Sequence, residues 1–305
     1  MAVAGEALFN DEALEAAARQ GIDSHVRWLA LSPDPEAIAL RAGLEHCFTF
    51  AGRSAGVLRK GLMHERWGQH AGALGHLLTL GLLVRQGWAV TAEPELGGQS
   101  PDILATRNAP GAEPRAATGA CTGHGMPPEL LTTAELRMLV EVRAITGAGR
   151  FPWEARRELR GPGRASPAER EAQARATAAS AEALRETVAA VLGKKAERYA
   201  ALVERLALPF VICLYEDKDD QIAGIAREVA FGSASDSSRI VSAVIVFGRI
   251  DTRDGALLLR GEIIPDPEAR FPLPPDAWPL LRTLPAGMAR MGRAPLTGPG
   301  FSLHA

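Results

Sequence analysis

Two short apolar runs constrain this chain more than any other feature. The first is Arg137-Met138-Leu139-Val140-Glu141-Val142-Arg143-Ala144-Ile145, ending before Gly147; the second runs from Phe210 to Tyr215 through Val211, Ile212, Cys213 and Leu214. The second is too short for most helices and too continuously apolar for a strand with one wet face, and the first is a β-branched, largely apolar run that stops at a glycine. They therefore read as buried strands from the centre of a sheet. Between them, Pro167 sits where a first helical residue would, and an Ala/Glu/Arg stretch continues to about Leu206 before Pro209. That is one long helix, with an interruption expected near Gly193. Strand, helix and strand in this order put the two strands side by side in an α/β fold.

The flanking segments extend the pattern. Leu74, Leu77, Leu78 and Leu82 recur at helical spacing between Trp67 and Gln86, and Gly87 provides a residue that tolerates a left-handed helix end. Alternation at Trp88, Val90 and Ala92 then predicts a strand, Gly97-Gly98 a turn, and Asp102 to Ala105 a second strand. Further on, 240–250 and 257–264 are strand candidates joined across Asp254-Gly255. Ahead of all this, 1–66 reads as a helical region, with one helix over 10–20 capped by Asp11 and another over 33–48, while 51–62 is ambiguous. The core is expected over 67–285, interrupted by mobile insertions near 107–133 and 147–167 where no period is sustained, and 286–305 reads as an irregular tail.

Composition narrows the class. With 47% hydrophobic and 23% charged residues, the chain has the balance of a folded globular protein. Three cysteines, far apart and without a CxxC pair, fit a reducing cytoplasm better than a disulfide framework. The first residues lack the basic and apolar blocks of a signal peptide, and no run of about 18 apolar residues occurs, so no membrane partner is expected. The formal net charge of −2 excludes general attraction to nucleic acid, so any phosphate binding needs local positive charge. Lysine is scarce, occurring only at Lys60, Lys194, Lys195 and Lys218.

The order helix, strand, turn, strand with Pro101-Asp102, strand with Glu141-Val142-Arg143, long helix, buried strand resembles the PD-(D/E)XK nuclease core over residues 67 to 216. The fold it implies is a mixed central sheet flanked by helices, preceded here by N-terminal helices and carrying long loop insertions. By the same resemblance, Asp102 and Glu141 hold Mg²⁺ or Mn²⁺. The chemistry is sound independently of the name, because magnesium takes oxygen ligands, often one or two carboxylates, and keeps its other positions wet for a phosphate and an attacking water. Glu141 and Arg143, two apart on a strand, leave the same face.

The chain departs from the family where a strand lysine belongs. Arg143 stands there, and a guanidinium that stays protonated can steady charge on a phosphate oxygen but cannot take a proton from water. Lys195, on the following helix and one turn from Tyr199, is the expected substitute. Glu93 and Glu95 are expected to complete the metal shell, and Arg156, Arg157 and Arg160 to contact phosphates. His76 reads as a packed or surface histidine rather than a ligand. The implied function is Mg-dependent DNA phosphodiester hydrolysis, with room for a homodimer; the alternative is a nuclease fold that has lost catalysis and serves as a nucleic-acid or protein interaction module. No GxxxxGK[ST] loop, GxGxxG turn or GxSxG elbow points elsewhere.

Overall fold

The computed structural model describes residues 7–22, 24–108, 135–145, 167–216, 221–231, 238–253, 256–274, 277 and 288–293. Seven strands form one mixed sheet in sequential order. They are β1 (Ala89–Ala92), β2 (Ile103–Asn108), β3 (Glu135–Ala144), β4 (Phe210–Glu216), β5 (Ala243–Arg253), β6 (Ala256–Pro265) and β7 (Met288–Arg293). The first three run antiparallel to one another, β3–β4 and β4–β5 are parallel, and β5–β6–β7 are antiparallel again. The helices are α1 (Asp11–Ala18), α2 (His25–Leu31), α3 (Pro35–Phe48), α4 (Ala55–Leu62), α5 (Trp67–Arg85), α6 (Pro167–Leu206) and α7 (Gln221–Phe231).

The two apolar runs become the centre of the sheet, buried on both sides. Val140, Val142, Val211, Cys213 and Tyr215 point into one core with α1 to α5, whereas Leu139, Phe210, Ile212 and Leu214 point into a second core with α6 and α7. The period of two along each strand sorts them. Glu141 and Arg143 share the parity of Leu139, so they face α6. On the other side α5 lies very close to the sheet: a Cβ at Gly75 would stand 2.7 Å from the Cβ of Tyr215. The N-terminal helices join α5 in the same core rather than forming one of their own.

Helix ends explain how the chain turns. At the end of α5, Gly87 adopts φ +80°, its N–H donates to the Val84 carbonyl at 2.9 Å, and Trp88 N–H donates to the Leu83 carbonyl at 3.1 Å. This Schellman pairing satisfies terminal carbonyls and sends the chain straight into β1. Gly97 (φ +60°) and Gly98 (φ +82°) then turn it toward β2.

Several expectations are corrected. Asn10, not Asp11, caps α1, its side-chain oxygen accepting from Ala13 N–H at 2.9 Å. α6 runs through Gly193 without a break. The tail is not wholly irregular, because Met288–Arg293 adds β7 to the edge of the sheet. The expected insertions fall almost entirely outside the described residues, at 109–134 and 146–166. Among the described residues, no helix is long and apolar enough to cross a membrane.

Candidate active site

Asp102 sits just before β2, where β2 has stopped pairing but β3 continues. The register matches Ile103 with Val140, so the backbone of β2 cannot supply a partner for the N–H of Val142. The Asp102 side chain does so instead, its Oδ2 accepting from Val142 N–H at 2.7 Å. In return, Asp102 N–H points at Glu141 Oε2 across 3.4 Å. Each acid thus takes the place of a ladder partner for the other's strand, which fixes both on one side of the sheet.

Two cations meet them there. Lys195 Nζ, from α6, donates to Glu141 Oε1 at 2.5 Å, and Arg143 donates to the same oxygen at 2.5 Å. The other arm of the Arg143 guanidinium lies 3.7 Å from Asp102 Oδ2, so one planar group spans both acids. The Glu141 side chain is completely buried and that of Lys195 is 11% exposed, whereas Arg143 is 36% exposed and Asp102 21%. The site is therefore closed at its base and open at the Asp102–Arg143 side.

The electrostatics follow this gradient. Burial raises the Asp102 carboxyl above its usual 3.8, against the opposing pull of the Val142 N–H and of the charges on Arg143, Lys195 and Arg198. Glu93 is also raised, first by burial and then by the negative charge of Asp102. His76, on α5, is pushed down to about 4, mainly by burial; the charges of Glu141 and Arg143 act on it in opposite directions. Its Nε2 is buried and has no hydrogen-bond partner among the described residues.

A clamp from α6 holds the Asp102 turn. The Tyr199 hydroxyl donates to Ser100 O at 3.1 Å, Gln99 Nε2 donates to Arg198 O at 2.8 Å, and Arg205 donates to Leu96 O at 3.0 Å. Lys195 and Tyr199 do share one face of α6, and that face is turned inward.

Known proteins offer no guide. Neither the models of known protein families, nor the curated proteins, nor the solved structures contain a match to this chain.

Of the residues singled out from sequence, Asp102, Glu141, Arg143 and Lys195 come together. Glu93 stays close enough for its charge to be felt by Asp102, and its N–H donates to Asp102 O at 2.8 Å. Glu95 is drawn away: it pairs with Arg53 at 3.4 Å and its side chain is 83% exposed. Glu93 has φ +46°, so the chain leaves strand geometry there and Glu95 does not continue the line of β1. Arg156, Arg157 and Arg160 lie outside the described residues. Sequence reasoning missed Gln99 and Arg198, whose mutual contact ties the turn to α6; the only signal for them was their place beside the glycine pair and the helical lysines. Among the described residues, no three His, Cys, Asp or Glu side chains are grouped so as to hold a metal ion.

Proposed function

We propose that this chain is a metal-dependent nuclease-like protein of the PD-(D/E)XK type, acting on DNA by phosphodiester hydrolysis. The observation that carries the reading is the pair Asp102 and Glu141, delivered from adjacent β-segments to one side of the sheet and spanned by a single guanidinium. Two acids at such a point suit magnesium, which is commonly held by one or two carboxylates with water completing its shell. Asp102 and Glu141 would hold the ion, with Glu93 the nearest further acid. When bound, Mg²⁺ or Mn²⁺ supplies Lewis acidity and a water of lowered pKa.

The chain's own groups supply the rest. Lys195, fixed by Glu141 in a nearly dry pocket, holds positive charge and three donors beside the acids, suited to orienting a water or a phosphate oxygen. Arg143, at the open side, steadies negative charge developing on the phosphate. The α6 clamp ties the turn that carries Asp102 to the helix that carries Lys195.

The test is incubation of the purified protein with plasmid and single-stranded DNA in Mg²⁺ or Mn²⁺. Cleavage is expected, and both Asp102→Ala and Glu141→Gln should abolish it; activity surviving Asp102→Ala removes that residue from the mechanism. A second reading is favoured by the fact that Glu141 Oε1 already accepts from both Lys195 and Arg143. On that reading the protein's own cations have replaced the metal, and the fold serves as a binding module. Calorimetry with Mn²⁺ separates the two: heat that Glu141→Gln removes supports the first, and absence of both heat and cleavage supports the second.

A further inference from the structure

The exposed side of α6 carries charges of both signs, and two of its cations, Lys194 and Arg198, are not used by the site just described. Lys194 and Arg198 are both exposed. They stand four residues apart, so on a helix they project within about 40° of each other and about 6 Å apart along the axis. Neither forms an ion pair with a described carboxylate. In a chain of net charge −2, where most exposed arginines around α6 are matched, this is unusual. Arg185 is held by Glu228 and Glu182, and Arg270 takes Glu204.

Their position relative to the acids is fixed. The Arg198 guanidinium lies over the Tyr199 ring, 5.2 Å from its centroid, and its backbone carbonyl accepts from Gln99, three residues before Asp102. Stacking of this kind orients a guanidinium while leaving its donor edge free. Arg198 is also close enough for its charge to act on Asp102. Lys194 is exposed and projects about 100° around the helix from the buried Lys195, so it marks the solvent side of the same turn. Arg205 recurs seven residues later on the same face, yet it already donates to Leu96 O, which makes it part of the clamp.

We propose that Lys194 and Arg198 form a phosphate track along the outside of α6, guiding one nucleic-acid strand so that a phosphodiester reaches the Asp102–Glu141 pair. The axial spacing of the two cations is comparable to that of successive phosphates along a strand, and a single row fits one backbone. Contacts of this kind carry no base information, so binding is insensitive to sequence. The inference rests on the nuclease-like reading for the direction of the strand, and is measured separately from it.

The experiment is fluorescence anisotropy of a labelled single-stranded DNA oligonucleotide with the full chain in EDTA, over about 50 to 200 mM salt, a range in which counterion release is measurable. The wild-type protein should bind with a linear log–log salt dependence. Lys194→Ala/Arg198→Ala should weaken binding at least tenfold and flatten the slope by roughly 1.4, about 0.7 for each single-strand phosphate that no longer meets a cation. Lys60→Ala, which removes an exposed lysine on α4, should change neither. An unchanged affinity and slope in the double variant overturns the track, as does failure of the wild type to bind. Metal-dependent cleavage is followed on the same proteins. Cleavage with unaltered binding by the double variant rejects the track alone, whereas binding that depends on Lys194 and Arg198 without any cleavage rejects hydrolysis and leaves the track standing.

Discussion

Replacing Lys195 by Met keeps the aliphatic stem and removes the ammonium 2.5 Å from a completely buried Glu141. At an effective dielectric constant near 20, a pair at that separation attracts by about 6 to 7 kcal/mol, most of which offsets the desolvation of the two charges. Breaking a buried pair from one side costs about 3 to 5 kcal/mol, because the remaining charge is stranded. Arg143 still reaches Glu141 after the change, so the lower end applies and Lys195→Met should lose about 3 kcal/mol in urea unfolding at pH 7, followed by far-UV circular dichroism. Glu141→Leu should cost a similar amount by stranding Lys195. The double variant removes both charges and leaves two apolar side chains next to Ile212, the register partner of Glu141, and the apolar core between the sheet and α6. It should fall within about 1 kcal/mol of wild type or exceed it, which makes the coupling several kcal/mol. Such a result means the fold does not require these charges and that their place in the structure serves chemistry. A loss under about 1 kcal/mol for Lys195→Met, or strictly additive losses in the double variant, would refute that account of the pair.

Two further outcomes follow from groups whose proton affinity the fold alters. Asp102 is raised above 3.8, so the folded state holds its proton more firmly than the unfolded chain does; its favourable contribution is complete below 3.8 and is lost as pH rises through the folded value. Asp102→Asn, which keeps an oxygen for Val142 N–H, should therefore be at least as stable as wild type at pH 7 in thermal melts while losing cleavage. His70 is shifted the other way, down to about 4 by burial, with its Nδ1–H donating to Leu62 O and its Nε2 accepting from His25. Stability from a neutral buried histidine is present above about 6.5 and lost as pH falls toward the folded value, so between pH 7.5 and 5 His70 should account for about 2 kcal/mol of destabilisation. His70→Asn should show that much less pH dependence in urea titrations, and an unchanged dependence would remove His70 as its source.

What could be read from sequence tracks where the physics is local. β3 and β4 were legible because a continuous apolar run has few other places to go, and the end of α5 because Gly87 is cheap in the conformation that end demands. The convergence of Asp102 and Glu141 was legible once the two strands were neighbours. α2 was not: its seven residues hold their place through tertiary bonds, with Arg41 donating to Leu29 O at 2.7 Å and Ser32 O at 2.9 Å from a helix away in sequence. β7 has neither alternation nor β-branched residues, and its strand geometry comes from pairing with β6. α7 was passed over although Asp220 stands directly before it and Gly232 directly after it, the residue types that mark a helix's start and end in sequence. Glu95 was misplaced because nearness to the first strand was its only support, and the chain leaves the extended region at Glu93, carrying Glu95 out to Arg53. That Lys195 rather than Lys194 reaches Glu141 was legible in its place one helical turn before Tyr199, since both lie on the face that α6 turns inward while Lys194 is exposed.

The balance of charge at the site sets the terms on which a metal could enter it. Asp102, Glu141, Arg143 and Lys195 sum to zero, so a dication finds its two carboxylates already matched. Without Lys195 the buried Glu141 would be left to Arg143 alone, whereas Arg143, 36% exposed, can turn its guanidinium to water with Lys195 still on Glu141. Arg143 is thus the gate for the ion on the proposed reading. A dication and a guanidinium held roughly 5 Å apart in a water-filled cleft repel by about 1 to 2 kcal/mol. Arg143→Ala should therefore tighten Mn²⁺ binding by about tenfold in calorimetry, while slowing cleavage at saturating Mn²⁺ because no group remains at the open side to steady the phosphate. Tighter metal with slower turnover is a combination that simple damage to the site does not produce. If Mn²⁺ binds Arg143→Ala no better than wild type, then Arg143 and the ion do not compete for the same oxygens, and the guanidinium belongs to the framework that holds Glu141 rather than to the path of the metal.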